Sequence, residues 1–205
     1  MIEKFSDLIY VRDNALTKEF CENTINLFEK IKYDGDSHGN HGGWGVVGVE
    51  SGFVPEIKKS WDYLIDAKVL PEEDNVFFKS LGEHLKEYME QLTDNMEGLK
   101  KEYFGLVDSG YQLQKTSPGD GYIWHNDFGN GGMGLDYGVR ILTYIWYLND
   151  VEEDGYTEFM DGTKVQPKAG RILIFPCTWE FMHRGYPPKS EDKYICTGWL
   201  HCTTR

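Results

Sequence analysis

The chain changes its hydrophobic rhythm near its midpoint. Before residue 102, apolar side chains recur every three or four positions. Phe20, Cys21, Thr24, Leu27, Phe28 and Ile31 share one face of a helix whose N-cap is Thr17. Pro55 opens a short helix through Trp61, Leu64 and Ile65. A longer stripe follows, formed by Val76, Phe77, Leu81, Leu85, Tyr88, Met89, Leu92 and Met96, and it ends near Gly98. After Glu102 the period falls to two. Short runs rich in Val, Ile, Tyr and Thr cover 111–116, 121–126, 139–148, 156–160, 163–167, 170–176, 180–186 and 193–201, punctuated by Gly, Pro and Asp. So many short strands in succession predict a jelly-roll or barrel of two sheets, with two or three helices covering one sheet from outside. The expected class is mainly β with N-terminal helices (α+β). No repeat, low-complexity tract or linker interrupts residues 1–205, which read as one domain: a helical support region (1–102) and a β core (103–205).

Composition narrows the function classes. Aromatic residues make up 15% of the chain, so a core or a lined cavity must take many of them up. The net charge of −13 works against binding nucleic acid or an anionic membrane by bulk electrostatics. The N-terminus lacks a signal pattern, and no apolar run approaches the roughly 18 residues that span a bilayer. Cys21, Cys177, Cys196 and Cys202 form no CxxC pair and read as reduced thiols of a cytoplasmic protein. A zinc site on Cys196, Cys202 and His201 lacks the usual paired spacing.

The candidate chemistry begins at His125-Asn126-Asp127. Residues i and i+2 of a strand share a face, so His125 and Asp127 can both aim into a barrel mouth. A third ligand must come from elsewhere. His38 and His41 lie in a glycine-heavy loop (33–48), His84 sits near the polar side of the long helix, and His201 is near the C-terminus. His183 lies on a late strand. Two His and one Asp make a facial triad, which favours Fe(II) and leaves positions open for a bidentate co-substrate and dioxygen. Lys193 follows His183 by ten residues and shares a strand face with Ile195, Thr197 and Trp199. An inward lysine wants an anion. Thr197 and Tyr147, the latter on a face with Thr143 and Ile145, add hydroxyls. A cation and two hydroxyls make a receptor for a carboxylate.

The segment RILTYIWYLNDVEEDGYTEF (140–159) resembles the RIxTxxxYLxDVEeGGxTxF stretch of the prolyl 4-hydroxylase branch of the 2-oxoglutarate/Fe(II) dioxygenases. SPGDGYIWHND (117–127) is similar to that family's PGxxYxxHxD strand, KYICTGWLH (193–201) to its closing strand, and LIYVRDNALTKEFCENTINLFE (8–29) to its opening strand and helix. The resemblance implies a double-stranded β-helix with His125, Asp127 and His183 as iron ligands. It also implies that Lys193 pairs with the C5 carboxylate of 2-oxoglutarate, assisted by Tyr147 and Thr197. The implied reaction uses O2, with ascorbate as an accessory: 2-oxoglutarate is decarboxylated to succinate while a C–H bond, such as that of a peptidyl proline, is hydroxylated. The chain departs from the pattern at Thr116, where many prolyl hydroxylases carry a tyrosine, and at Asp154-Gly155, where the usual pair is Gly-Gly.

Substrate-side candidates are Tyr122, beside the HxD, and Arg184, whose side chain points opposite to His183. Trp124 reads as a core or wall residue, Arg140 as half of a surface ion pair, His84 as solvated, and His38, His41 and Trp44 as parts of a flexible loop. The glycine-rich segment 128–138 reads as a strand connection at the substrate entrance, mobile without substrate. The expected partner is a peptide, a protein or a small-molecule substrate, with no nucleic acid and no membrane; oligomeric state stays open. Two competing readings are a nucleic-acid dealkylase of the same superfamily and a non-enzymatic jelly-roll with a vestigial metal site. The acidic balance opposes the first, and the retention of all three ligands plus Lys193 opposes the second.

Overall fold

The computed structural model describes residues 5–33, 42–47, 52–93, 106–129 and 138–202. Two antiparallel sheets face each other. The larger contains β1 (Tyr10–Arg12), β2 (Gly42–Trp44), β3 (Trp61–Leu64), β4 (Leu106–Asp108), β5 (Gln112–Thr116), β7 (Val139–Tyr147), β10 (Arg171–Pro176) and β12 (Lys193–Cys202). Its order is β1-β10-β7-β12-β5-β3-β2, with β4 also pairing with β12. The smaller sheet contains β6 (Tyr122–His125), β8 (Thr157–Phe159), β9 (Lys164–Val165) and β11 (His183–Gly185), in the order β6-β11-β8-β9. All eight strand runs expected after residue 102 form, and the jelly-roll expectation holds.

Period-two alternation gives the larger sheet two different faces. Leu142, Tyr144 and Trp146 of β7 and Ile172 and Ile174 of β10 belong to an outer core under the helices. Ile145 and Tyr147 of β7 and Leu173 and Phe175 of β10 belong to a second core between the sheets. These central strands are buried on both sides, so they read as continuous apolar runs.

Two helices cover the outer face: α1 (Lys18–Tyr33) and α2 (Pro71–Thr93). The Thr17 hydroxyl accepts from Phe20 N at 3.1 Å, which is the expected cap. Phe77 of α2 is fully buried, with ring centroids 5.1 Å from Trp146, 5.3 Å from Phe20 and 5.6 Å from Tyr111. The Trp146 indole N–H donates to Ser80 Oγ at 3.0 Å, and Ser80 donates to the Ala15 carbonyl at 2.9 Å, joining helix, sheet and N-terminal segment. The expected helix end near Gly98 lies outside the described residues.

Two expectations need correction. Residues 55–65 are not a helix: 55–57 form a turn and Trp61–Leu64 is β3. Apolar residues at 61, 64 and 65 mimic a helical stripe, but the fully buried residue is Tyr63, and Asp62 turns to the opposite face. So short a run fits both periods. The first half is therefore not purely helical, since β1, β2 and β3 all join the larger sheet. His84 is not simply solvated either. It is half-buried with Nδ1 2.9 Å from the Tyr10 hydroxyl, and burial lowers its pKa.

Phe77→Ala removes the ring on which α2, Tyr111 and Trp146 converge. It is expected to destabilise the fold by about 3–5 kcal/mol, measured by urea denaturation monitored by circular dichroism; a loss below about 1 kcal/mol would contradict the packing described.

Candidate metal and co-substrate site

The HxD stretch ends the first strand of the smaller sheet. His183 on β11 sits directly opposite His125 on β6 in the strand register. That pairing brings two imidazoles from distant sequence positions to one point, with centroids 4.3 Å apart. Asp127 lies just past the end of β6, with Oδ1 3.9 Å from His125 Nε2 and Oδ2 3.6 Å from His183 Nε2. One ligand atom from each of the three falls within 4.8 Å of the others. Among the described residues this is the only such His/Cys/Asp/Glu grouping. Cys196, Cys202 and His201 do not converge, and all four cysteines are free thiols.

Backbone carbonyls set the tautomers. His125 Nδ1 lies 2.8 Å from the Ile123 carbonyl, and His183 Nδ1 lies 3.0 Å from the Phe181 carbonyl. A carbonyl only accepts, so each Nδ1 carries the proton and each Nε2 turns its lone pair inward. Burial, reinforced by neighbouring His183, lowers the His125 pKa and keeps that imidazole neutral and ready to bind a metal. Burial pushes Asp127 the other way, but His183, His125 and the Thr143 hydroxyl outweigh it and hold the carboxyl ionised. Thr143 Oγ1 donates to Asp127 Oδ2 at 2.7 Å and so orients the third ligand from the opposite sheet. Two imidazoles that present Nε2 and one carboxylate, converging beside the cavity, make a donor set that would suit Fe(II) as a facial triad.

A cavity of about 420 Å³ opens between the sheets next to the triad. Lys193, Ile195, Thr197 and Trp199 all line it, as do Thr143, Ile145 and Tyr147, so the two expected inward faces are present. Lys193 is buried and its ammonium donates to the Gly155 carbonyl at 3.0 Å. Among the described residues no carboxylate pairs with it. Burial alone lowers its pKa to about 8, which marks a cation awaiting an anion. The Tyr147 hydroxyl lies 2.6 Å from Thr157 Oγ1, and burial holds the phenol well above its ordinary pKa. Thr197 lines the cavity, but its hydroxyl donates to the Tyr144 carbonyl at 2.9 Å, so its O–H is already committed. Thr157, the partner of the Tyr147 hydroxyl, lines the same part of the cavity. Its signal was the threonine of the TxF pattern.

The remaining candidates divide by sheet face. Tyr122 lines the cavity and stacks on His125 at 3.5 Å between centroids. Arg184 does not line it: its guanidinium pairs with Glu158 at 2.6 Å and lies 4.8 Å over the rings of both Trp124 and Tyr186, on the outer face of the smaller sheet. Trp124 is partly exposed on that same outer face rather than in the core. Arg140 corrects the surface ion-pair expectation. It lines the cavity with its guanidinium 3.6 Å over the Trp199 ring, and its Nε is buried without a hydrogen-bond partner. Sequence reasoning also missed Lys58, Ser60 and Asp62 as cavity residues, because they fell in the misread helix.

Both departures from the family pattern have a place in this geometry. Thr116 is buried in the cavity wall, directly opposite Lys193 in the strand register. Asp154 takes φ +63°, which Asp tolerates better than most residues, and Lys189 pairs with it at 2.6 Å. Trp44 is exposed, with its ring centroid 5.4 Å from that of Phe53. His38, His41 and residues 130–137 of the segment 128–138 expected to be mobile lie outside the described residues.

Residues 111–201 match the family model of the 2OG-Fe(II) oxygenase superfamily. A putative prolyl 4-hydroxylase of Acanthamoeba polyphaga mimivirus is 36% identical over 72 residues, covering 31% of this chain and 30% of that protein. Chicken prolyl 4-hydroxylase subunit alpha-1 is 31% identical over 110 residues, covering 46% of this chain and 21% of that one. The chain thus spans less than a third of the length of these two relatives. Among solved structures, the viral collagen prolyl hydroxylase of Paramecium bursaria Chlorella virus-1, in a 2OG complex, superposes with a TM-score of 0.62 at 20% identity, over 96% of this chain and 97% of that one. A Pseudomonas putida prolyl-4-hydroxylase gives 0.65 at 18% identity, over 95% and 92%. A Trichoplax adhaerens prolyl hydroxylase in complex with a hypoxia inducible factor peptide fragment gives 0.67 at 16% identity, over 96% and 84%. The resemblance read from the sequence agrees with these matches: residues 111–201 are similar to the 2OG-Fe(II) oxygenase superfamily, and the fold is that of the solved prolyl hydroxylases. The cofactor and co-substrates of that family are Fe(II), 2-oxoglutarate and O2.

Lys193 supplies a pH test. Only its protonated form pairs with a carboxylate, and an anion bound beside it would raise its pKa above about 8. The Kd for 2-oxoglutarate, measured by calorimetry, is expected to be flat below about pH 8 and to rise by up to about tenfold per pH unit above it. Lys193→Ala should weaken binding and abolish that slope. A slope that survives in Lys193→Ala would show that another group controls anion binding.

Proposed function

We propose that the chain is an Fe(II)- and 2-oxoglutarate-dependent dioxygenase that hydroxylates a C–H bond, with a peptidyl proline as the leading substrate. The observation that carries this reading is the coincidence, on one cavity, of the His125–Asp127–His183 triad and the unpaired buried cation Lys193. Iron bound at the triad would supply the coupled oxidation in which 2-oxoglutarate, O2 and R–H become succinate, CO2 and R–OH.

The protein's own contribution is positioning. Backbone carbonyls orient His125 and His183 with Nε2 toward the site, and Asp127 is held by Thr143. Lys193, Tyr147 and Thr157 would receive the distal carboxylate of 2-oxoglutarate. That leaves the keto-acid end facing the triad. Tyr122, Arg140 and Trp199 line the remaining side of the cavity and would face the substrate. Arg140 brings a cation that lacks an ion-pair partner among the described residues, suited to a substrate carbonyl or carboxylate. The polypeptide reading draws on the relatives, one of which is seen with a peptide fragment. The net charge of −13 weighs against a nucleic-acid substrate. No described helix is long and apolar enough to cross a membrane. The reading treats the chain as one dioxygenase domain in which α1 and α2 support the larger sheet.

Succinate release from 2-oxoglutarate with Fe(II) and ascorbate tests the assignment. Wild type should show at least slow turnover without added substrate, and His183→Ala should reduce it to background. Equal succinate from the two proteins would remove His183 from the site.

A further inference from the structure

The cavity holds an ion pair that neither the triad nor the anion pocket uses. Lys58 and Asp62 are 7% and 6% exposed, and Lys58 Nζ donates to Asp62 Oδ2 at 2.7 Å. Ser60 Oγ donates to Asp62 Oδ1, also at 2.7 Å. All three line the same cavity as the triad. Residues 57–59 run beside β6: Lys58 bridges Tyr122, Ile123 N donates to the Ile57 carbonyl, and Lys59 N donates to the Gly121 carbonyl. Lys58 Nζ lies 5.7 Å from the centre of the Tyr122 ring, whose other contact is His125. The pair therefore adjoins the metal ligands. It is also offset from the anion pocket. Asp62 stands opposite Gln114, Gln114 opposite Ile195, and Ile195 opposite Tyr147, a row of four strands. At about 4.8 Å per strand, Asp62 is roughly 14 Å across the sheet from the Tyr147 strand.

A buried ion pair is a poor stabilising device, since apolar side chains of similar shape usually serve the fold as well or better. This one also has unused capacity. Among the described residues the Lys58 ammonium makes one hydrogen bond, which leaves two N–H groups, and each Asp62 oxygen has accepted only one. Backbone covers one side: Gly45 N donates to the Ser60 carbonyl at 2.8 Å, and a Cβ at Gly45 would come within 2.7 Å of both Asp62 Oδ2 and Ser60 Oγ. The free side faces the cavity.

We propose that Lys58 and Asp62 form a specificity subsite for a secondary amide of the substrate, resting on the oxygenase reading above. Lys58 donates to the amide carbonyl and Asp62 accepts the amide N–H. A donor and an acceptor fixed side by side match the two ends of a peptide group, and a substrate lacking the N–H leaves the remaining acceptor capacity of Asp62 unmet in a buried site. The pair thereby selects a polypeptide over a free amino acid or an amide-free small molecule.

The test is anaerobic calorimetry of the Fe(II)- and 2-oxoglutarate-loaded protein with two probes, acetyl-Gly-Pro-Gly-amide and its analogue methylated at every amide nitrogen. Wild type is expected to bind the N–H probe at least tenfold more tightly. Lys58→Met/Asp62→Leu removes both charges together. It should keep the melting temperature and lose the preference. A purely structural pair gives the opposite pattern: each single change lowers the melting temperature, and the double change restores both stability and probe preference. That result overturns the proposal, as does a wild type that binds neither probe or does not distinguish them. The wild-type comparison stands without any variant. Failure of the oxygenase reading shows separately, as absence of succinate release by wild type in air.

Discussion

The proposed centre of this protein depends on one requirement: two imidazoles must present Nε2, and one carboxylate its oxygens, within the reach of a single ion. The strand register meets the first part by placing His183 across from His125. Backbone carbonyls two residues before each histidine fix the proton on Nδ1. The carboxylate cannot rely on its own strand, because Asp127 lies beyond the end of β6. It relies on Thr143, from the larger sheet. The proposed metal site is thus a joint between the two sheets, and whatever separates them also separates its candidate ligands.

The larger sheet carries that burden through strict sidedness. On β7 the even-numbered residues Leu142, Tyr144 and Trp146 pack beneath α1 and α2, while Thr143, Ile145 and Tyr147 look into the cavity. A register slip of one residue would exchange the two sets and remove both the Asp127 anchor and the anion pocket. The aromatic cluster around Phe77 and Trp146 therefore does more than stabilise the fold. It locks the strand whose other face holds the chemistry.

Much of this was legible in the sequence. His125, His183, Lys193 and Tyr147 were readable because each sits on a strand, where a period of two fixes direction; Asp127 continues that spacing just past β6, and the order of all five along the chain resembled a known pattern. The α1 and α2 stripes were readable for the same kind of reason. Three things were not. Residues 55–65 are too short to separate a strand from a helix by periodicity, so Lys58, Ser60 and Asp62 were lost with them. Arg140 has many acidic residues to choose from in an acidic chain, and only the structure shows its guanidinium over Trp199 instead. Thr197 was rightly placed on the inner face, but a hydroxyl's partner depends on its rotamer, and here the strand carbonyl of Tyr144 takes the bond.

The central claim is that His125, Asp127 and His183 hold Fe(II) with room for 2-oxoglutarate to chelate it. Anaerobic titration of the Fe(II) protein with 2-oxoglutarate, followed by visible charge-transfer absorption, tests this most directly. Wild type should develop the absorption at one equivalent of iron and 2-oxoglutarate per chain, and Asp127→Ala should not. An absorption of equal strength in Asp127→Ala, or none in the wild-type protein, would contradict the account.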